Sequence, residues 1–446
     1  MLRIFRIPKI INVIIGSLVL GVLYGAYTFW YCDSNELYVG NRSPYLQSPS
    51  DVAITIRWRS EYAAQGVLVY GTSKSDLSQE IREQQKNTEH EIRLTNLQPD
   101  TRYYYRISQP EKDKQDEAIN WFKTSPSTDQ VRLVRFLVLG DPGQRGRKQD
   151  AVRDAIMAWL SKNTSSAFPY ADFLVTTGDN AYRSGTDRQF QKHFFQSYDE
   201  IFKNISVWPA YGNHDSRSSA FFKLFTLPQH GESGGVPSGT EHYYSFDYAN
   251  VHFVMLDSNI NEPESLNTML TWLRKDLATK IKADWIVTIF HHPPYTKGTH
   301  DSDNNTDSGG RMLTVREQIV PILENAGVDL VLSGHSHSYE RSFLMSGHYG
   351  DSSTIKPHMI VDNSNKSIFE KLSVGNVQNN VQKGAIYAVV GSSAHVGSGS
   401  LDHPIMQSSF STAGALVVEV NDKILVGRFI DYKGNILDKF QILKPD

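Results

Sequence analysis

Polar and apolar positions alternate between residues 45 and 125, and from Val131 onward apolar runs alternate with segments of helical period. In the first stretch Val52–Trp58 and Gly66–Tyr70 read as two strands. His90–Leu94 and Thr101–Ile107 read as two more, around the turn Leu97-Gln98-Pro99-Asp100, and Trp121–Thr124 closes the set. Short strands at regular spacing with turn residues between them predict an all-β sandwich. Ser125-Pro126-Ser127 then reads as a hinge. Beyond it, Leu133–Leu139, Phe173–Thr176, Val207–Tyr211, Trp285–Phe290 and Val328–Leu332 predict strands, and Tyr243–Tyr248 with Val251–Leu256 a hairpin. Val152, Ala155, Ile156, Trp159 and Leu160 form a helical stripe over residues 148–161. Leu266, Met269, Leu270, Leu273 and Leu277 form another, and Val315–Asn325 a third that Pro321 interrupts. This alternation predicts an α/β region, with Leu416–Val420 and Ile424–Phe429 completing a second sheet.

The N-terminus is a separate object. Ile10–Tyr31 is a run of 22 residues without charge, preceded by Arg3, Arg6 and Lys9 and followed by Asp33 and Glu36. At ~1.5 Å per residue such a run crosses a ~30 Å hydrocarbon core. Residues 1–32 are therefore expected to form a transmembrane signal anchor. Its basic flank would stay cytoplasmic and the remainder extracytoplasmic: periplasmic, luminal or extracellular. A cleaved signal peptide, giving a secreted protein, is the rival. Composition narrows the chemistry. A net charge of -3 over 446 residues offers no basic field for nucleic acid. The one cysteine, Cys32, excludes an intrachain disulfide and thiolate clusters, so any metal site must use nitrogen and oxygen ligands.

Such ligands occur where apolar strands run out. The islands are Gly140-Asp141-Pro142-Gly143, Gly178-Asp179-Asn180-Ala181-Tyr182, Gly212-Asn213-His214-Asp215, His291-His292-Pro293 and Gly334-His335-Ser336-His337. Loops at the carboxyl ends of strands are where α/β sheets place ligands. Asp141 and Asp179 are hard anions, and a carboxylate can bridge two metals. Tyr182, three residues on, can return to the same pocket; beside a metal its phenol ionises, and phenolate suits a trivalent ion. Asn213 offers an amide oxygen, and His291, His335 and His337 offer imidazoles. His292 competes with His291 for the same place. Together the set can hold two adjacent metal ions, an arrangement suited to attack of water on phosphate esters.

These islands, in this order, resemble those of the purple acid phosphatases within the calcineurin-like metallophosphoesterase superfamily. Gly334-His335-Ser336-His337-Ser338-Tyr339-Glu340-Arg341 is close to that family's last motif. Pro44-Tyr45-Leu46-Gln47, Ile56-Arg57-Trp58 and Leu97–Tyr105 resemble a fibronectin type III module. Most other members of the superfamily carry a ligand histidine where this chain has Gly143, and Tyr182 appears in compensation. The resemblance implies a four-layer αββα metallophosphoesterase sandwich over residues 131–446, preceded by an all-β fibronectin III-like sandwich over 45–125. It implies Fe(III) on Asp141, Tyr182 and His337, a divalent Fe, Zn or Mn on Asn213, His291 and His335, and Asp179 bridging. It further implies His214 and His300 as phosphate-facing histidines, with His291 rather than His292 the ligand. The activity so implied is hydrolysis of phosphate monoesters, small-molecule or phosphoprotein, by a metal-bound hydroxide. The alternatives are a phosphodiesterase or nucleotide pyrophosphatase with the same centre, and a non-catalytic surface-binding protein with a vestigial site. His395, in the loop Gly391–Gly399, reads as a histidine without a site role.

Overall fold

The computed structural model describes residues 40–108, 118–128, 130–163, 171–279, 283–361, 376–379 and 384–444. The expected membrane anchor lies outside them. Among the described residues no helix is long and apolar enough to cross a membrane.

The N-terminal β region consists of β1 (Arg42–Gln47), β2 (Ile54–Gly71), β3 (Gln79–Leu94), β4 (Arg102–Ser108) and β5 (Asn120–Lys123). One expectation changes here. The two strands read at Val52–Trp58 and Gly66–Tyr70 are one long strand, β2, paired with an equally continuous β3. The register shifts between Arg59 and Ala64 and again between Gln65 and Val67, so bulges absorb the polar stretch that looked like a connection. All five strands form one hydrogen-bonded sheet, in which β2 pairs with β1 at its start and with β4 at its end. Leu46, Ile54, Ile56 and Trp58 from one end share a core with Leu68, Tyr103, Tyr105 and Phe122 from the other. A single sheet thus encloses its own core as a sandwich does.

The remainder forms two seven-stranded sheets. The chain first lays down β6 (Val134–Leu139), β7 (Phe173–Thr176) and β8 (Ser206–Pro209) as parallel neighbours. It then builds the second sheet from β9 (Tyr244–Tyr248), β10 (Val251–Met255), β11 (Trp285–Ile289), β12 (Leu330–Ser333) and β13 (Tyr339–Met345). After β14 (Asn376–Asn379), strands β15 (Ala385–Val390) and β16 (Met406–Phe410) complete that sheet. Finally β17 (Gly414–Asn421), β18 (Ile424–Asp431) and β19 (Ile436–Leu443) return to the first, where β17 pairs antiparallel with β6 and β19 pairs parallel with β14. The expected strands at 416–420 and 424–429 thus extend the sheet begun by β6.

Strands buried on both faces read as apolar runs, which is why β6, β7, β11 and β12 were visible in the sequence. Phe136 and Phe173 from the first sheet and Phe246 and Phe253 from β9 and β10 of the second fill one core between the sheets. Helix α1 (Arg147–Asn163) packs Val152, Ile156 and Leu160 on the outside of the first sheet. Helix α2 (Pro263–Thr279) covers the second with Met269, Leu270 and Leu273. The helix read at Val315–Asn325 is a π-turn, Val315–Ile319, running into α3 (Val320–Ala326). Pro321 sits in the first turn of α3, where its missing N–H costs nothing, and the wide turn before it takes up the displaced bonding.

Candidate metal centre

The loops after β6, β7, β8, β11 and β12 meet at one end of the two sheets. Asp141, Asp179 and His335 all have left-handed backbone, with φ of 52°, 52° and 67°. L-residues adopt that region at a penalty, and such residues gather at functional sites. Close approach explains the glycines beside them. A Cβ on Gly143 would lie 2.2 Å from the Asn180 carbonyl carbon, and one on Gly212 would lie 2.1 Å from the Asp179 nitrogen. Gly143 is where relatives of another kind carry a ligand; here the position admits no side chain at all.

Three atoms converge at one end of the cluster. Asn213 Oδ1 lies 2.9 Å from His291 Nε2 and 3.0 Å from His335 Nδ1, and the two nitrogens are 3.2 Å apart. His291 Nδ1 donates to the Thr177 carbonyl at 2.8 Å, so Nε2 is the nitrogen turned inward. His335 Nε2 is bonded to Ser308 Oγ at 2.6 Å, which leaves Nδ1 for the interior. At the other end the Tyr182 hydroxyl donates to Asp141 Oδ1 at 3.0 Å and lies 3.2 Å from His337 Nε2. Asp179 stands between, with Oδ1 accepting the His214 amide at 2.8 Å and lying 3.5 Å from His291 Nε2. Asp141, Asp179 and His291 present ligand atoms within 4.8 Å of one another, as do His291, His292 and His335. His292 nevertheless spends its Nδ1 on Ser258 Oγ, at 2.8 Å.

Electrostatics ties these groups together. Burial and the two carboxylates Asp141 and Asp179 hold the Tyr182 phenol far above its ordinary value, so only a cation would convert it to phenolate. Burial alone would lower His291, but Asp179 and Asp141 overcome it and lift the ring to about 9. Burial would raise Asp179, and His291 with His214 instead hold it low. His335 is pushed well down by burial and by His292 and His291, which keeps it neutral. The donor set fits two cations. One at the Asn213 end satisfies an amide oxygen and two imidazole nitrogens at once, with the Thr177 carbonyl orienting His291 and the Ser308 hydroxyl holding the His335 ring. One at the Tyr182 end meets phenol, carboxylate and imidazole.

A family model for calcineurin-like phosphoesterases matches residues 134–339, and one for the purple acid phosphatase N-terminal domain matches residues 43–126. The chain belongs to the purple acid phosphatase family. Purple acid phosphatase 15 of Arabidopsis thaliana is 28% identical over 57% of this chain and 49% of its own length. Purple acid phosphatase 21 of the same plant is 30% identical over 56% and 53%. An uncharacterised Mycobacterium tuberculosis protein is 26% identical over 60% and 54%. The chain therefore spans about half the length of the curated relatives it matches. Among solved structures, a purple acid phosphatase from yellow lupin seeds superposes with a TM-score of 0.68 at 16% identity, covering 91% of this chain and 74% of that one. PhoD gives 0.59 at 12% identity, covering 88% and 87%. Both likenesses concern the fold.

Around the family's dinuclear centre the structure places histidines that reach none of the converging atoms. His214 bonds the Arg183 carbonyl through Nδ1 at 2.7 Å and its ring lies 4.5 Å from that of Tyr182. His300 stacks on His335 at 3.9 Å and bonds Asp307 through Nδ1 at 2.8 Å. Asp307 and Ser308 were not singled out in the sequence, because the bonds that give them meaning cross loops. His395 was set aside, yet its ring lies 3.6 Å from that of His337. Asp215, the last residue of its island, accepts the amides of Asn180 and Gly212 at 3.0 Å each.

Proposed function

We propose that the chain is a metal-dependent phosphatase that hydrolyses phosphate monoesters with water at a dinuclear centre. In this reading Asp141, Tyr182 and His337 hold the first ion, Asn213, His291 and His335 the second, and Asp179 bridges. The observation that carries it is the meeting of Asn213 Oδ1, His291 Nε2 and His335 Nδ1 within 3.2 Å, a focus of lone pairs. The phenol at Tyr182 favours Fe(III) for the first ion, and the mixed oxygen and nitrogen set suits divalent Fe, Zn or Mn for the second. Bound there, the ions would supply Lewis acidity toward water and the phosphoryl group.

The chain's own residues do the rest. His214, fixed by the Arg183 carbonyl, presents Nε2 3.9 Å from Asp179 Oδ2, on the side of the cluster where phosphoryl oxygens would lie. His300 has Nδ1 engaged by Asp307, which leaves Nε2 as the nitrogen that would face the ester. As water adds to phosphorus and the ester P–O bond breaks, a proton from His300 Nε2 neutralises the departing alkoxide. The Asp307 carboxylate stabilises the charged ring until it is consumed, as in other carboxylate–histidine pairs. Substrates are small phosphate esters or phosphoproteins.

The domain limits 45–125 and 131–446 are proposed for the sandwich and the catalytic region. On the sequence of residues 10–31 alone, we further propose a membrane anchor with the catalytic region extracytoplasmic, or a secreted form if the segment is cleaved.

Metal analysis with an absorption spectrum tests the reading. Two metal atoms per chain and a visible band that Tyr182→Phe removes are expected, together with faster turnover of model monoesters than diesters. A folded chain purified with near-zero metal, and unable to take it up, would count against an enzyme and for a binding protein.

A further inference from the structure

We propose that His395 is a third uncoordinated imidazole of the site and hydrogen-bonds a phosphoryl oxygen of the bound ester. The inference rests on the phosphatase reading above.

Its backbone is held as firmly as that of the ligand loops. His395 lies beyond β15, the strand between β12 and β13 in the second sheet. On its N-terminal side the Gly391 amide donates to the Ser338 carbonyl at 3.0 Å and the Ser393 amide to the Gly140 carbonyl at 2.9 Å. On the other side the Gly397 amide donates to the His337 carbonyl at 3.0 Å. A Cβ on Gly397 would lie 1.8 Å from Thr299 Cγ2, so the loop sits directly on the segment that carries His300. The imidazole is thereby set against two first-ion residues at once, 3.6 Å from the His337 ring and 5.1 Å, edge to face, from that of Tyr182.

Its Nδ1 is buried and, among the described residues, has no hydrogen-bond partner. Buried polar atoms are almost always paired, so this one calls for a partner that the described residues do not supply. What the location would receive is the oxygen of an anion. His214 flanks Tyr182 at 4.5 Å and His300 covers His335 at 3.9 Å, so with His395 three imidazoles assigned no ion, besides the Ser258-bonded His292, border the ligand cluster. The first-ion position already gathers two carboxylates, a phenol and an imidazole, which leaves His395 to address what binds the ion rather than the ion itself.

The test uses the full-length, metal-loaded chain and inorganic phosphate as probe. Phosphate dissociation constants are measured by calorimetric titration for the natural chain, His395→Ala and His395→Gln, with metal content and the visible band recorded on the same samples. Loss of a hydrogen bond to a charged group predicts phosphate binding weaker by about tenfold or more in the alanine variant. Partial recovery is expected in the glutamine variant, whose amide can also donate, with both metals and the band retained in each. Unchanged phosphate affinity at full metal content overturns the inference, and so does loss of a metal atom, which would make His395 a ligand. A natural chain that takes up no metal overturns the phosphatase reading as well. A natural chain that binds metal and phosphate alongside indifferent variants overturns the role of His395 alone.

Discussion

Asp215 shows how a single side chain holds the site's geometry without entering it. Fully buried, it accepts the amides of Asn180, Ala181 and Gly212 and the Asn180 side-chain amide, so the loop carrying Asp179 is stitched to the loop carrying Asn213. Removing an acceptor from buried donors costs about 1–3 kcal/mol for each group left unsatisfied. Asp215→Ala is accordingly expected to destabilise the fold by about 3 kcal/mol or more, read from a thermal melt. It should also lower occupancy of the ion position built on Asn213, read by metal analysis. Tyr182→Phe makes the contrast: it keeps the ring's packing, so the melting temperature should shift little while the visible band disappears. The candidate ligands were legible because each stands in a short motif just after an apolar strand. His395, Asp307 and Ser308 were not, because their positions follow from loop-on-loop contacts such as Gly397 against Thr299, which no local pattern announces.

Between elements, the two large sheets are tied by an ion pair. Arg341 on β13 binds Asp438 on β19, with Nε to Oδ2 at 2.6 Å and Nη2 to Oδ1 at 3.0 Å, and the Tyr339 hydroxyl adds a bond at 2.7 Å. Both charges are buried. Breaking such a pair by removing one partner typically costs about 3–5 kcal/mol, far more than an exposed pair is worth. Asp438→Asn should therefore lower the melting temperature markedly at neutral pH. Burial would raise the Asp438 pKa, but Arg341 and Tyr339 hold it below the ordinary carboxylate range. A depressed folded value means the contribution is complete above the unfolded value of about 3.9 and fades as pH falls through the folded one. The stability gap between the natural chain and Asp438→Asn should then stay constant from pH 7 to about pH 5 and narrow only below about pH 4. A gap that closes already near pH 6 would contradict the assignment. Pairing of this kind is silent in the sequence, as β2 was: its Glu61–Ala64 stretch broke the alternation because it leaves the core, while backbone pairing with β3 carries the strand on.

At the scale of the whole molecule, the N-terminal sheet is joined to the loop that presents Tyr182. Arg42 and Arg59 both bind Asp187, the latter at 2.7 Å, and Arg42 also bonds Gln191 Oε1 at 2.7 Å. Tyr45 reaches the Leu224 carbonyl and Gln47 the Val207 carbonyl, at 2.6 and 2.8 Å. Asp187 opens a short helix capped by Thr186, and the Gln189 side chain takes the Ser184 amide at 2.8 Å, so the segment 182–189 is anchored from its far end. The same segment offers the Arg183 carbonyl to His214. Asp187→Ala would leave two buried guanidinium groups with Glu89 as their remaining carboxylate, an expected loss of about 1–3 kcal/mol. Were the N-terminal sheet only a spacer, the loss would appear as a lower melting temperature and nothing else. Because the carboxylate lies on the segment that carries Tyr182, the variant is expected to weaken the Tyr182-dependent band and to reduce monoester turnover several-fold at temperatures where it remains folded. Melting should still occur in one transition, since the contacts that join the β region to β8 and the segments beside it are buried. A lower melting temperature with an unaltered band and turnover would reduce the sheet to a packing partner and break the proposed link between it and the metal centre.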